Sequence, residues 1–275
     1  MANASVIDKF IESLGSIRPE LKLSPEKLDK LSVYYENLVE WNKVMNLTAI
    51  TDEKDVYEKH FLDSLSLKLP VGSSSVENSS VGSGTSGTDS SGIGSSGSNT
   101  SGSSAAGTQK LIDVGTGAGF PGLVLAIAYP ELQVTLMDSL NKRISFLNDT
   151  IQKADIRNVT CVHARAEELA RDKNYREQYD MAVSRAVANL STLSEYCLPF
   201  VKKDGFFISY KGDDTAEEIL AAKNAIFLLG GRMDAKEEFT LPGTDYKRTL
   251  IYIRKKQTTS AKYPRKAGTP AKNPL

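Results

Sequence analysis

The sequence predicts an α/β protein: a doubly wound, mainly parallel sheet closed by an antiparallel hairpin and preceded by a small helical part. Three observations lead there. From Lys110 onward, short apolar runs alternate with helical patterns. A glycine-rich stretch, Gly115–Gly122, separates the first apolar run from the first helix. Ahead of Leu69 the apolar residues recur at helical rather than alternating spacing.

In the first part, Ser24-Pro25 reads as an N-cap followed by proline at the first helical position. Leu28, Leu31, Tyr35, Leu38 and Met45 then form a core stripe, with Trp41 beside them. A second helix is expected over Lys54–Leu67. Beyond Lys110, strands are expected at Leu111–Val114, Gln133–Asp138, Val159–His163, Tyr179–Ser184 and Phe206–Tyr210. Helices are expected at Pro121–Tyr129, Leu140–Ala154, Leu190–Val201 and Thr215–Leu229. Two closing strands, Glu237–Leu241 and Lys247–Arg254, flank Pro242-Gly243 and make the hairpin.

Residues 72–108 differ from the rest: 24 of the 37 are Gly or Ser, with no Lys, Arg or aromatic residue. Such a segment buries too little apolar surface to offset ordering entropy and reads as a flexible linker, spanning roughly 30–40 Å as a random coil. The expected division is therefore 1–71 helical, 72–108 linker, 109–256 α/β core and 257–275 basic tail. Lys plus Arg and Asp plus Glu each number 34, which excludes a uniformly basic nucleic-acid binder but not a local basic patch. Cys161 and Cys197 lack metal-type spacing and read as reduced core thiols. With no signal-type apolar segment and no run of roughly 20 apolar residues, a cytoplasmic protein with no membrane partner is expected.

Glycine is required where backbone turns sharply and approaches a ligand without a Cβ in the way. Gly115, Gly117 and Gly119 follow a strand directly, and a helix begins at Pro121, so backbone N–H groups face a ligand at a helix N-terminus. Asp138 ends the second strand, at a separation suited to accepting both ribose hydroxyls of a nucleotide; a helix cap is its other reading. The pattern G-x-G-x-x-G at Gly117–Gly122 also permits NAD. Against NAD, Gly115 and Thr116 intervene between the strand and that pattern. Asp113 also puts a carboxylate where a pyrophosphate would be repelled. The same carboxylate suits the ammonium group of S-adenosylmethionine, so a Rossmann-like methyltransferase sheet is expected.

These residues carry a resemblance. W-N-K-V-M-N-L-T (Trp41–Thr48), H-F-L-D-S-L (His60–Leu65), D-V-G-T-G-A-G-F-P-G (Asp113–Gly122), L-M-D-S-L-N-K-R (Leu136–Arg143), R-A-E-E (Arg165–Glu168), S-R-A (Ser184–Ala186) and the tail Tyr263–Leu275 occur in one order. The chain thereby resembles the ribosomal RNA small subunit methyltransferase G family, also called glucose-inhibited division protein B. The resemblance implies methyl transfer from S-adenosylmethionine to N7 of a guanine, guanine 527 in rRNA numbering, in the 530 loop of bacterial 16S rRNA. It also implies cofactor contacts at Gly115, Phe120, Ala166, Glu167 and Arg185, beside Asp113, Gly117 and Asp138. The Gly/Ser segment departs from the family and leaves the placement of the helical part open.

Guanine N7 has a free lone pair, so in-line transfer needs positioning and no general base. No catalytic residue is assigned; Arg185 and Lys211, each closing a strand, are the positioning candidates. No metal is expected: His60 and Asp63 share a helix face, but a hydrogen bond explains the pair better than a metal. His163 reads as a structural residue of a buried strand, and Asn42 and Asn46 as either buried hydrogen-bonders or base readers. From Arg254 to Lys272 there are seven Lys or Arg and no acid, which predicts an extended arm that neutralises phosphates. The expected partner is 16S rRNA or the small ribosomal subunit, and the expected state a monomer.

Overall fold

The order of elements follows the alternation in the sequence. In this computed structural model, residues 3–70, 108–185 and 188–275 are described. The linker expectation therefore lies outside the described residues apart from Thr108.

The helical part opens with α1 (Ala4–Ile17), capped by the Asn3 side chain on the Ser5 N–H. Next comes α2 (Pro25–Asn42), whose Ser24 side chain accepts from Lys27 N–H as expected. The expected second helix appears as α3 (Glu53–Val56), a π-helical turn (Tyr57–Leu62) and α4 (Asp63–Leu65). The core stripe of α2 is rotated slightly from the expectation: Leu31, Tyr34 and Leu38 are buried, whereas Tyr35 is only half-buried. Spacing from Leu31 permits either tyrosine. Buried Asn37, which donates to Thr150 Oγ1 (2.8 Å), marks the face that packs.

The core contains β1 (Lys110–Val114), α5 (Gly122–Ala128), β2 (Gln133–Asp138), α6 (Asn141–Lys153), β3 (Val159–His163), α7 (Ala166–Leu169), β4 (Tyr179–Arg185), α8 (Leu190–Cys197), β5 (Val201–Lys211), α9 (Ala216–Leu228), β6 (Gly231–Thr240) and β7 (Lys247–Lys255). The sheet order is β3-β2-β1-β4-β5-β7-β6. Strands β1 to β5 pair in parallel, and β7 runs antiparallel between β5 and β6. This is the Rossmann-like sheet with a closing hairpin that the sequence predicts. Its order reverses between β1 and β4, where the carboxyl ends of strands open a crevice.

Some boundaries moved. Helix α8 ends at Cys197 rather than Val201, and β5 begins at Val201 rather than Phe206. The added stretch carries Lys202, Lys203 and Asp204, the last at φ +66°, and in sequence this polar run looks like a turn. Strand β6 begins at Gly231 rather than Glu237, its charged residues exposed along a sheet edge, where charge is tolerated. His163 is a correction: β3 is the opposite edge, and this histidine is exposed, with Nε2 against the Ser139 carbonyl (3.1 Å).

The basic tail is a larger correction. It folds back rather than extending. Tyr263 joins the core cluster, Pro270 is buried, and α10 (Thr269–Lys272) makes the last turn. Arg265 forks onto Glu195, which is fully buried on α8, with Nη2 to Oε2 at 2.7 Å and Nε to Oε1 at 3.0 Å. Gly268 N–H donates to Glu167 Oε1 (2.8 Å), and Thr192 Oγ1 donates to the Pro270 carbonyl (3.0 Å). The sequence counts charges but does not show that a buried carboxylate elsewhere takes one of them.

Helices before Lys68 and the chain from Thr108 form one compact unit. Trp41 Nε1 donates to Asp149 (2.7 Å), Arg18 to Tyr129 Oη (3.1 Å) and Tyr210 Oη to the Ser64 carbonyl (2.9 Å). Their contacts answer the placement question that the Gly/Ser segment left open.

Candidate donor and acceptor cavities

The glycine turn sits at the carboxyl end of β1. Gly115, Gly117 and Gly119 all have positive φ (73°, 61° and 99°), which explains glycine at each. Gly115 and Thr116 donate their N–H groups to the Met137 carbonyl (both 3.0 Å), and Gly117 N–H donates to Asp138 Oδ2 (3.0 Å). Tyr34, from α2, reaches into the turn: its hydroxyl donates to the Ala118 carbonyl and its ring stacks on Phe120 at 5.4 Å. A Cβ on Gly119 would lie 2.5 Å from that hydroxyl. The helical part therefore holds the turn in shape.

Asp113 does not reach toward a ligand. It is fully buried beneath the turn, with Oδ2 accepting from Thr116 Oγ1 (2.7 Å) and from Gly122 N–H (2.8 Å). Burial pushes its pKa up to about 6, against the lowering effect of those two bonds. Its Oδ1 is buried without a hydrogen-bond partner. The expected salt link to an ammonium group is replaced in this structure by a role in shaping the turn.

Gly115, Gly117, Phe120, Asp138 and Arg185 line one cavity of about 430 Å³, with Leu47, Thr48, His60 and Arg143. Asp138 Oδ1 accepts from Leu140 N–H (2.9 Å), and Arg143 reaches Oδ2 at 3.2 Å, so the carboxylate is oriented. Open space faces Gly117, where a Cβ would meet nothing within 4 Å. A nucleoside with an apolar face and ribose hydroxyls fits this donor set. Ala166 and Glu167 do not line the cavity; both are buried on α7, and Glu167 is bonded to the tail.

A second cavity, of about 320 Å³, lies across a shared wall. Its lining includes Lys59, His60, Asp63, Arg185, Tyr210, Lys211, Tyr246 and Arg248. Four cations line it, held by three carboxylates: Asp63 takes Arg185 and Arg248, Glu218 takes Lys211, and Asp55 takes Lys59 (2.8 Å). His60 and Arg185 belong to both cavities and form the wall. The His60 ring stacks on Phe120 at 4.4 Å, and the Arg185 guanidinium lies 4.9 Å from the same ring. Asp63, 1% exposed, accepts from Arg185 Nη1 (2.7 Å) and Arg248 Nε (2.8 Å). Lys211 is held by Glu218 (2.6 Å) and the Ala188 carbonyl (2.7 Å).

The pairing expected of His60 and Asp63 is thus corrected: each bonds to Arg185 rather than to the other, His60 through Nδ1 at 3.3 Å. The same Nδ1 lies 3.2 Å from the Lys59 carbonyl, and Nε2 lies 2.9 Å from Thr48 Oγ1. Burial, then Arg185, pushes the His60 pKa down to about 3, so the imidazole is neutral at working pH. Asn42 orders the Leu47–Thr48 turn through its Oδ1 (2.8 and 3.1 Å), while Asn46 is exposed. Burial pushes the Cys161 thiol up to about 12 and that of Cys197 well above its ordinary value, so neither is a nucleophile. Among the described residues no group of three His, Cys, Asp or Glu is placed to hold a metal.

The sequence profile of the rRNA small subunit methyltransferase G family matches residues 27–87 and 99–244. The chain belongs to this family. Curated relatives called ribosomal RNA small subunit methyltransferase G agree over nearly the whole length. The Lachnoclostridium phytofermentans protein is 44% identical over 266 residues, covering 97% of this chain and 96% of that one. The Acetivibrio thermocellus protein is 45% identical over 255 residues (93% and 91%), and the Bacillus subtilis protein 42% over 269 residues (98% and 98%). As a member of the small subunit methyltransferase G family, the chain is a methyltransferase with S-adenosylmethionine as methyl donor, which retires the NAD alternative.

Proposed function

We propose that the chain transfers a methyl group from S-adenosylmethionine to N7 of guanine 527 in the 530 loop of bacterial 16S rRNA. It acts as a monomer in the cytoplasm, on free rRNA or the small subunit. The observation that carries this reading is the pair of cavities separated by His60 and Arg185. One offers a glycine turn and a ribose-type carboxylate. The other is cationic and suits a nucleotide.

In this reading 109–256 is the catalytic core and 1–71 walls the site. Gly115 and Gly117 keep the donor cavity open, Asp138 accepts the ribose hydroxyls, and Phe120 supplies an apolar face. Bound S-adenosylmethionine supplies an electrophilic methyl carbon on a sulfonium. Arg185 sits where donor and acceptor meet, and Asp63 fixes its direction. Neutral His60 adds no positive charge beside a sulfonium and takes no proton. Lys211 and Arg248 favour the phosphates of the strand carrying the guanine. Holding nucleophile and methyl carbon roughly 3–3.5 Å apart and in line is the whole of the catalytic task.

Single-turnover transfer of labelled methyl to 16S rRNA, free and in small subunits, tests this. Arg185→Ala should slow transfer at saturating cofactor by about a hundredfold, the cost of lost alignment. An unchanged rate would remove Arg185 from the mechanism.

A further inference from the structure

We propose that Tyr246 is a stacking platform for the nucleotide next to the target guanine, with Lys59 and Arg248 neutralising that nucleotide's phosphate. This rests on the RNA-methylation reading of the second cavity and adds a subsite to it. At about 320 Å³ that cavity is at the small end of ligand pockets, which run about 300–1,000 Å³. One base fills it, and the neighbouring base on the strand has to lie at the rim.

Tyr246 stands at that rim, on the turn leading into β7, and its backbone is fixed. Its N–H donates to Thr244 Oγ1 (3.1 Å) and its carbonyl accepts from Leu241 N–H (2.9 Å). The ring lies 4.9 Å from Lys59 Nζ and 5.5 Å from the Arg248 guanidinium carbon. Both cations are oriented by carboxylates, Lys59 by Asp55 (2.8 Å) and Arg248 by Asp63 (2.8 Å). Even so, 42% of the residue stays exposed, unusual for a large aromatic side chain in this structure. An exposed ring beside cations is the arrangement that binds an unstacked base and its phosphate. The sequence gives Tyr246 no distinguishing signal; only folding brings it beside Lys59 from the helical part.

The test uses the full chain with S-adenosylmethionine and an rRNA fragment carrying 2-aminopurine beside the target guanine. Wild type and Tyr246→Phe should quench the probe, whereas Tyr246→Ala and Tyr246→Leu should not. KM for the RNA should rise about tenfold in the Ala and Leu variants and stay near wild type in the Phe variant. Affinity for S-adenosylmethionine should not move. Quenching by the Ala variant as strong as wild type, or Leu performing like Phe, overturns the proposal. If wild type quenched the probe but transferred no methyl group, the functional reading would fall and the stacking site would stand.

Discussion

Gly117 and Gly122 lie in the same turn, yet an added methyl group should harm them differently. At Gly117 the new Cβ meets open cavity, so Gly117→Ala costs only the positive-φ penalty of about 1–2 kcal/mol. Its methyl then occupies ligand space, and calorimetry should show at least about tenfold weaker S-adenosylmethionine binding, or about 1.4 kcal/mol. At Gly122 the Cβ would lie 2.5 Å from Leu136 Cδ2 and 2.7 Å from Asp113 Cβ. Gly122→Ala should therefore lose roughly 1–3 kcal/mol of stability in urea unfolding. Equal effects of the two substitutions on both measurements would contradict the geometry. Asp113 adds a pH signature. Folding raises its pKa to about 6, so its contribution is fully present below about pH 4 and is lost as pH rises through 6. Relative to Asp113→Asn, wild type should lose up to roughly 3 kcal/mol between pH 4 and pH 7. A pH-independent difference would contradict a buried, ionising carboxyl. His60 runs the other way: its pKa is lowered to about 3, so its stabilising contribution is present above about pH 6.5 and is lost as pH falls toward 3. The pH–rate profile of methyl transfer should have no limb near 6.5; a steep one would assign His60 an acid–base role.

Among the elements, the tail shows how a charge pattern misleads. Seven cations without an acid read as an arm for phosphates, but Arg265 is spent on Glu195 and Lys255 is wholly buried. Arg265→Ala leaves a buried carboxylate unpaired and should cost about 3–5 kcal/mol in urea unfolding. The double variant with Glu195→Ala should recover part of that loss; no recovery would mean that packing, not charge, is what Arg265 supplies. The glycine turn and strand ends, by contrast, were legible. Each imposes a local rule: positive φ at Gly115 and Gly117, or a carboxylate at the end of β2. The wall between the cavities follows no such rule. His60 and Asp63 meet Arg185 across 125 and 122 positions of sequence, and only the packed fold reveals that pairing.

At the scale of the whole molecule, the helical part is a wall of the site rather than an appendage. Tyr34, Thr48, His60 and Asp63 all come from it, and all touch the turn or the cavities. Tyr34→Phe removes the hydrogen bond to the Ala118 carbonyl and should cost about 1–2 kcal/mol, divided between stability and cofactor affinity. The doubly wound sheet and the hairpin were readable because apolar runs alternating with helical patterns specify strands wherever they are buried. Docking of the helices was not, since surface complementarity between distant segments leaves no period in the sequence. The central claim is that this two-cavity site delivers a methyl group to one atom of one base. It is tested by mapping labelled methyl in 16S rRNA after reaction with the full chain, using strand scission at N7-methylguanine. The account predicts label at N7 of guanine 527 alone, abolished by a bulky Gly117→Val substitution. Label on another base, or on another atom of that guanine, would contradict it.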